Sequence, residues 1–207
     1  MGRISKPVIG LSGGIGSGKS AVGRILQEFG AGLIDSDRLG HQALLEPDVV
    51  RMLHDWWGPD VIDREGRVDR AAVGKIVFAD SVQKKRLEEL LHPRIARGRQ
   101  ELKEEFNTDA RVRIIVIDAP LLHEAGVDAE CDCIIFVDAD RSVRERRVQE
   151  QRRWTAEELD RRENLQISLD MKRRRADHIV SNNSSLSALR GQVEHLVKRI
   201  LALDRRT

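Results

Sequence analysis

The chain has 207 residues, 40% hydrophobic and 34% charged, which suits one folded domain or one domain carrying a large insertion. Lys and Arg number 36 against 34 Asp and Glu, so the net charge is only +2 and a bulk nucleic-acid binder is not indicated. The longest apolar stretch, Cys133 to Val137, is far shorter than the ~20 residues of a membrane-spanning helix, and apolar runs recurring along the length argue against disorder.

The first residues lack the apolar core of a signal peptide, and Lys6 breaks the myristoylation pattern that Gly2 would start, so a cytoplasmic protein is expected. Val8 to Ser12 is short, apolar and followed at once by glycines, the pattern of a buried strand. Ala21 to Phe29 reads as a helix, with Val22, Ile25, Leu26 and Phe29 on one face. Gly32 to Asp35 reads as a second strand. About 75 residues then follow, from Ser36 to Val112, almost all helical in pattern. Pro47, Gly58-Pro59 and Pro93 punctuate them, and Asp63 to Gly66 reads as a turn. That is too long for a simple crossover and predicts an inserted helical subdomain.

Ile114 to Ile117 and Cys133 to Val137 read as strands three and four, each ending in an aspartate (Asp118, Asp138). Cys131 and Cys133 are the only cysteines, too few and too close for a disulfide framework or zinc site, and read as structural. Two capping-box patterns follow, Ser142 to Glu145 and Thr155 to Glu158, and predict two helices joined near Gln151 to Trp154. Residues 141–175 hold 12 basic and 7 acidic side chains. A mobile, arginine-rich hairpin of this kind suits a phosphate-covering lid, although a solvated helix face has the same composition. His178 to Val180 is a possible fifth strand, and the last helix spans roughly Ser185 to Leu203. Strands alternating with helices predict a parallel α/β sheet covered on both faces, with ligands at the strands' carboxyl ends.

The chemistry is concentrated in Gly13-Gly14-Ile15-Gly16-Ser17-Gly18-Lys19-Ser20, followed by Ala21, which fits the phosphate-binding loop between a strand and a helix. Glycines let successive N–H groups point at phosphate oxygens, and the following helix adds its positive end. Lys19 would reach the β- and γ-phosphates of ATP, and the Ser20 hydroxyl would bind Mg²⁺. The guanine-reading motif of GTPases is missing, and the length favours a small-molecule or nucleotide kinase over a motor. Asp35 and Asp37 offer carboxylates at a strand end, and strand alternation would aim both to one side; one catalytic base, or a helix cap at Ser36 or Asp37, accounts for them. Asp118 reads as an acid holding Mg²⁺ through water, as a substrate-facing group, or as a strand cap. A lone helical His92 reads as structural.

Leu11 to Ser20, Ile34-Asp35-Ser36-Asp37, Leu91-His92-Pro93, Pro120-Leu121-Leu122-His123-Glu124, then Ala176-Asp177 and Asn182-Asn183 occur in order, with Gln166 and Lys172 between. The sequence resembles the dephospho-CoA kinases from about Ile9 to Asn183. The resemblance implies a P-loop three-layer α/β/α core with a five-stranded parallel sheet (residues 1–37, 112–140 and 176–207), a helical CoA-substrate insertion (38–111) and an arginine-rich lid (141–175). It implies transfer of the ATP γ-phosphoryl group to the ribose 3′-hydroxyl of dephospho-CoA, with Asp37 as base. Arg147, Arg152 and Arg162 are its candidate lid arginines; Gln151 stands where an Arg is common, His123 where an aromatic is usual, and Ser181 and Ser184 where the family has Asp and Gly. Asp35, Asp37, His92, Arg94, Pro120 and Leu121 are the acceptor-contact candidates. The partner expected is the small-molecule substrate, with no nucleic acid or membrane, on a monomer or weak homo-oligomer. The alternatives are a kinase for another nucleoside, nucleotide or hydroxyl acceptor, or a P-loop regulatory or RNA-binding module, which the absence of tyrosine and 3% aromatics disfavour.

Overall fold

The computed structural model describes residues 5–204; Gly2, and the ends of the first and last core segments expected above, lie outside them. The chain divides into two compact units, Met1–Asp35 with Glu105–Thr207, and Ser36–Glu104.

The first unit is built on five parallel strands: β1 (Val8–Gly13), β2 (Ala31–Asp35), β3 (Ile114–Asp118), β4 (Cys133–Asp138) and β5 (His178–Ser181), in the order β2-β3-β1-β4-β5. β1 is central and all six of its residues are buried, as a strand covered on both faces requires. Helix α1 (Lys19–Glu28) connects β1 to β2, which lies beyond β3, so the chain leaves β1 to one side and returns from β3 to the other. The carboxyl ends of β1 and β3 therefore flank the crevice where such sheets bind ligands.

One sheet face carries Ile9, Leu11, Ile114, Val116, Ile135 and Val137 against Val22, Ile25 and Leu26 of α1 and against Leu189, Val193 and Val197 of the last helix (Leu186–Asp204). Burying each such side chain is worth roughly 1.5–3 kcal/mol, so this layer fixes where β1 ends. β2 favours glycine at position 32, because a Cβ there would stand 2.5 Å from the Phe106 ring and the ring would have to shift.

The second unit is helical. It holds α2 (Ser36–Ala43), α3 (Pro47–Trp57), α4 (Arg70–Ala79) and most of α5 (Ser81–Thr108), whose last residues belong to the first unit. Val49 and Leu53 of α3, Val61, Val68, Val73 of α4 and Leu90 of α5 form its core. The expected turn after Asp63 is present: the Asp63 carboxylate accepts the Glu65 and Arg67 N–H groups, and Ile62 bridges Val68. Pro47 opens α3 and Gly58 closes it, as expected of both.

Pro93 does not break the chain. It lies inside the 28-residue α5. The lost Pro93 N–H costs about 3 kcal/mol in a helix, which Leu90 offsets by burial and Arg94 by pinning this turn. Arg94 donates to the Leu90 carbonyl (2.8 Å) and pairs with Glu46 (2.9 Å) and Asp48. Strand alternation also stops short of Asp37. β2 ends at Asp35 and α2 begins at Ser36, so Asp35 and Asp37 are related by a strand-to-helix turn.

The basic segment belongs to the first unit and comprises α6 (Arg141–Arg152), α7 (Ala156–Glu163) and α8 (Leu169–Arg174). The Thr155 hydroxyl caps α7 by accepting the Glu158 N–H (3.3 Å). Ser142 caps nothing: α6 starts one residue earlier, with Asp140 at its N-cap and no side-chain cap bond. Its entry is fixed by Asn183, whose side chain accepts the Asp140 N–H (2.7 Å) and donates to the Asp140 carboxylate (3.0 Å).

Gly32→Ala should lower stability by about 1–3 kcal/mol through overpacking. Urea unfolding checks this, and adding Phe106→Leu should recover part of the loss.

Candidate active site

The loop after β1 is held by its outer side. The buried Asn182 amide donates to the Ser17 carbonyl (2.8 Å). Arg147 of α6 donates to the Gly16 (3.3 Å) and Ser17 (3.1 Å) carbonyls, and its other nitrogen binds the Asn182 carbonyl (2.9 Å). Arg144 donates to the Ile15 carbonyl (3.3 Å). In a trans peptide the C=O and the following N–H point opposite ways, so these bonds turn the Gly16 and Gly18 N–H groups to the inner side. Two inward N–H groups and a helix start form an anion cradle.

Two glycines are obligatory here for steric as well as conformational reasons. Gly18 has φ 93° and a Cβ on it would fall 2.2 Å from the Asn182 amide nitrogen; Gly16 has φ 77° and a Cβ would meet the Arg144 carbonyl at 2.9 Å. Gly18 is also the N-cap of α1, and no side chain caps that helix. Lys19 folds back over the loop, with Nζ 3.3 Å and 3.4 Å from the Gly13 and Gly14 carbonyls. Ser20, in the first turn of α1, is exposed.

Asp118 ends β3 directly across from Leu11 of β1 and from Asp35 of β2, so Asp35 and Asp118 stand side by side at the carboxyl edge. Pro120 and Leu121 are exposed in the turn that follows, whereas Leu122 is buried beneath it. Asp37 is exposed in the first turn of α2, and His92 is exposed on α5. Arg94 is engaged within its own unit by Glu46 and Asp48.

Of the three candidate lid arginines, only Arg147 stands at the loop. Burial and the neighbouring Arg146 lower its pKa, but a guanidinium remains charged at neutral pH. Arg152 and Arg162 lie over the Trp154 ring, at 4.8 Å and 4.2 Å, and Arg162 also binds Glu158 (2.6 Å). Hydrogen bonds from Arg161 and Arg162 hold the Glu158 carboxyl down at about 2.

Sequence reasoning marked His123, Glu124, Gln166 and Lys172 as motif positions but did not foresee the contacts they make beneath the site. His123 is buried between the Ser12 hydroxyl (3.0 Å) and the Asp128 carboxylate (3.0 Å), and ties the turn after β3 to the strand entering the loop. Lys172 of α8 is 2% exposed and meets Glu124 (3.1 Å) and the Gln166 side-chain amide oxygen Oε1 (2.8 Å). Their signal in the sequence was the run Pro120 to Glu124 and the spacing of Gln166 and Lys172 before Ala176-Asp177. Burial pushes the Cys133 thiol up to about 12, in keeping with an inert structural cysteine.

Burial of Glu124 acts to raise its carboxyl pKa, but backbone N–H groups and Lys172 outweigh it, and the net shift is downward. A carboxyl held below its unfolded value adds stability above that value and loses it as pH falls through the folded one. Glu124→Gln should therefore destabilise the protein at pH 7. In denaturation from pH 7 to 3, the gap to wild type should narrow below 4.5, the ordinary value for this carboxyl.

Comparison with known proteins agrees with this geometry. The family model for dephospho-CoA kinase matches residues 7–188. A dephospho-CoA kinase of Symbiobacterium thermophilum is 38% identical over 90% of this chain and 78% of its own length, and one of Corynebacterium glutamicum 35% identical over 94% and 97%. A crystal structure from Thermus thermophilus superposes with TM-score 0.79 at 30% identity, covering 94% of this chain and 97% of that one. Shikimate kinase from Acinetobacter baumannii, at TM-score 0.51 and 17% identity, shares the fold. The chain belongs to the dephospho-CoA kinase family.

Proposed function

We propose that this protein transfers the γ-phosphoryl group of ATP to the ribose 3′-hydroxyl of dephospho-CoA, giving coenzyme A and ADP. The observation that carries this reading is the loop 13–20, with its carbonyls turned outward by Asn182, Arg147 and Arg144, in a chain of this family. Positioning and charge neutralisation do most of the work in phosphoryl transfer. The inward N–H groups and Lys19 would hold the phosphates.

Ser20 and Asp118 offer the hard oxygen ligands that Mg²⁺ takes alongside phosphate oxygens, and they fit that ion. Bound there, Mg²⁺ would neutralise charge on the phosphates. Asp37 orients the 3′-hydroxyl and accepts its proton, and Asp35, His92, Pro120 and Leu121 supply acceptor contacts. Arg147 faces the loop already, while Arg152 and Arg162 close from Trp154 over the transferring group and exclude water. No helix among the described residues is long and apolar enough to cross a membrane. The enzyme would act in the cytoplasm as a monomer or weak homo-oligomer.

ADP release with ATP and Mg²⁺ should depend on dephospho-CoA and not on adenosine, AMP or pantetheine, with a product one phosphate heavier. Release indifferent to all four sinks the assignment. Asp37→Asn should cut kcat strongly while ATP still binds; near-normal kcat removes Asp37 from the role. Lys19→Ala should lose about 2–4 kcal/mol of transition-state stabilisation, read from kcat/KM.

A further inference from the structure

α6 carries a second arginine at the phosphate loop, one the family reading did not single out. The Arg144 side chain is only 5% exposed. Its Nε donates to the Ala139 carbonyl (3.2 Å) at the end of β4, and its Nη1 donates to the Ile15 carbonyl (3.3 Å) at the apex of the loop. The same Nη1 pairs with the Glu163 carboxylate on α7. A Cβ on Gly14 would sit 3.0 Å from that nitrogen, so loop and guanidinium are in direct contact. The second oxygen of Glu163 is held by Arg141 (3.2 Å), which also binds Asp160 (2.7 Å) and Glu145 (2.6 Å).

One buried guanidinium thus joins three parts: the end of β4, the apex of the cradle and the last turn of α7. Arg162, the residue before Glu163, sits on that same turn. A buried charge keeps its place only while its partners remain, and removing one leaves the other uncompensated. Movement of α7 is therefore felt at Ile15, and a change in the loop is felt at α7.

We propose that Arg144 is a positioning residue for phosphoryl transfer, coupling the shape of the nucleotide cradle to the placement of α7 through Ile15 and Glu163. The proposal rests on the kinase reading above and names a residue that acts through the loop and the lid without touching the reacting atoms.

The test compares Arg144→Gln, Arg144→Lys, Glu163→Gln and the Arg144→Gln/Glu163→Gln double variant. The affinity for a fluorescent ATP analogue is measured without acceptor; kcat and KM are measured with dephospho-CoA, well below each variant's Tm. Arg144→Gln should weaken nucleotide binding and lower kcat about tenfold or more, as loss of orientation does. Glu163→Gln should lower kcat and weaken nucleotide affinity less than Arg144→Gln does, because the donor to Ile15 stays but loses its counter-charge. The double variant should be no slower than Arg144→Gln, as expected of two residues acting through one pair.

Arg144→Lys keeps the charge but cannot span three acceptors, so it should recover Tm more fully than kcat. Wild-type kcat and KM in Arg144→Gln, with or without a lower Tm, overturn the proposal, and so do single effects that multiply in the double variant. If Arg144→Gln does not fold, wild-type kcat in both Arg144→Lys and Glu163→Gln overturns it. Should the wild type phosphorylate no dephospho-CoA, the kinase reading fails; unchanged analogue affinity in Arg144→Gln then separately refutes the hold on the cradle.

Discussion

The site depends on which way three peptide planes face. The carbonyls of Ile15, Gly16 and Ser17 are drawn to the outer side of the loop by Arg144, Arg147 and Asn182. A backbone carbonyl left facing a bound phosphate would repel it, and a loop without these donors would be free to turn that way. Preorganisation of this kind is what makes a cradle effective, because the orientation is set before the anion arrives. The glycines permit the conformation, and the donors from α6 and from the segment after β5 choose it.

Those donors stand where they do because of the sheet. β4 pairs with β1 and β5 pairs with β4, so the segments leaving their carboxyl ends rise beside the loop that leaves β1. Asn182 follows β5 directly, and its N–H is held by the Asp138 carbonyl at the end of β4 (2.7 Å). The apolar layer under α1 and the last helix keeps these strand ends in register. Beneath the opposite face, buried Ser12, His123 and Lys172 form polar links with the less buried Asp128, Glu124 and Gln166. Each donor there finds an acceptor, which is the condition for burying polar groups without a large loss. They tie α8 and the turn after β3 to the strand that carries the loop.

The basic segment is therefore not uniform in its attachment. α8 is anchored by Lys172 to Glu124, which also accepts the Ile167 N–H (3.0 Å), and α6 is anchored through Arg144 and Arg147. Between them, α7 is tied by the Glu163 and Asp160 ion pairs and by buried Leu159. Its junction with α6 passes through Arg153, the one non-glycine with positive φ (57°) among the described residues. Composition alone, 12 basic and 7 acidic residues, suited a phosphate-covering lid or a solvated helix face. Several of these arginines are instead occupied with carbonyls and carboxylates of the protein itself.

Local pattern determined a great deal by itself. The five strands, α1 and the final helix follow from apolar runs and helical spacing. The loop itself follows from a glycine motif of eight consecutive residues. Such features are legible because their physics is local: neighbours in sequence decide them. The helix expected near Ser142 is present, but the break expected at Pro93 and the cap expected of Ser142 are overruled, in one case by a helix pinned through Arg94 and in the other by Asn183 holding the entry to α6. The roles of Arg144, Asn182, His123 and Lys172 were decided only in three dimensions. Arg144 and Ile15 are 129 residues apart, Asn182 and Ser17 165 apart, and Ser12 and His123 111 apart. A hydrogen bond requires two groups within about 3 Å, and over such separations only the packed sheet brings them there.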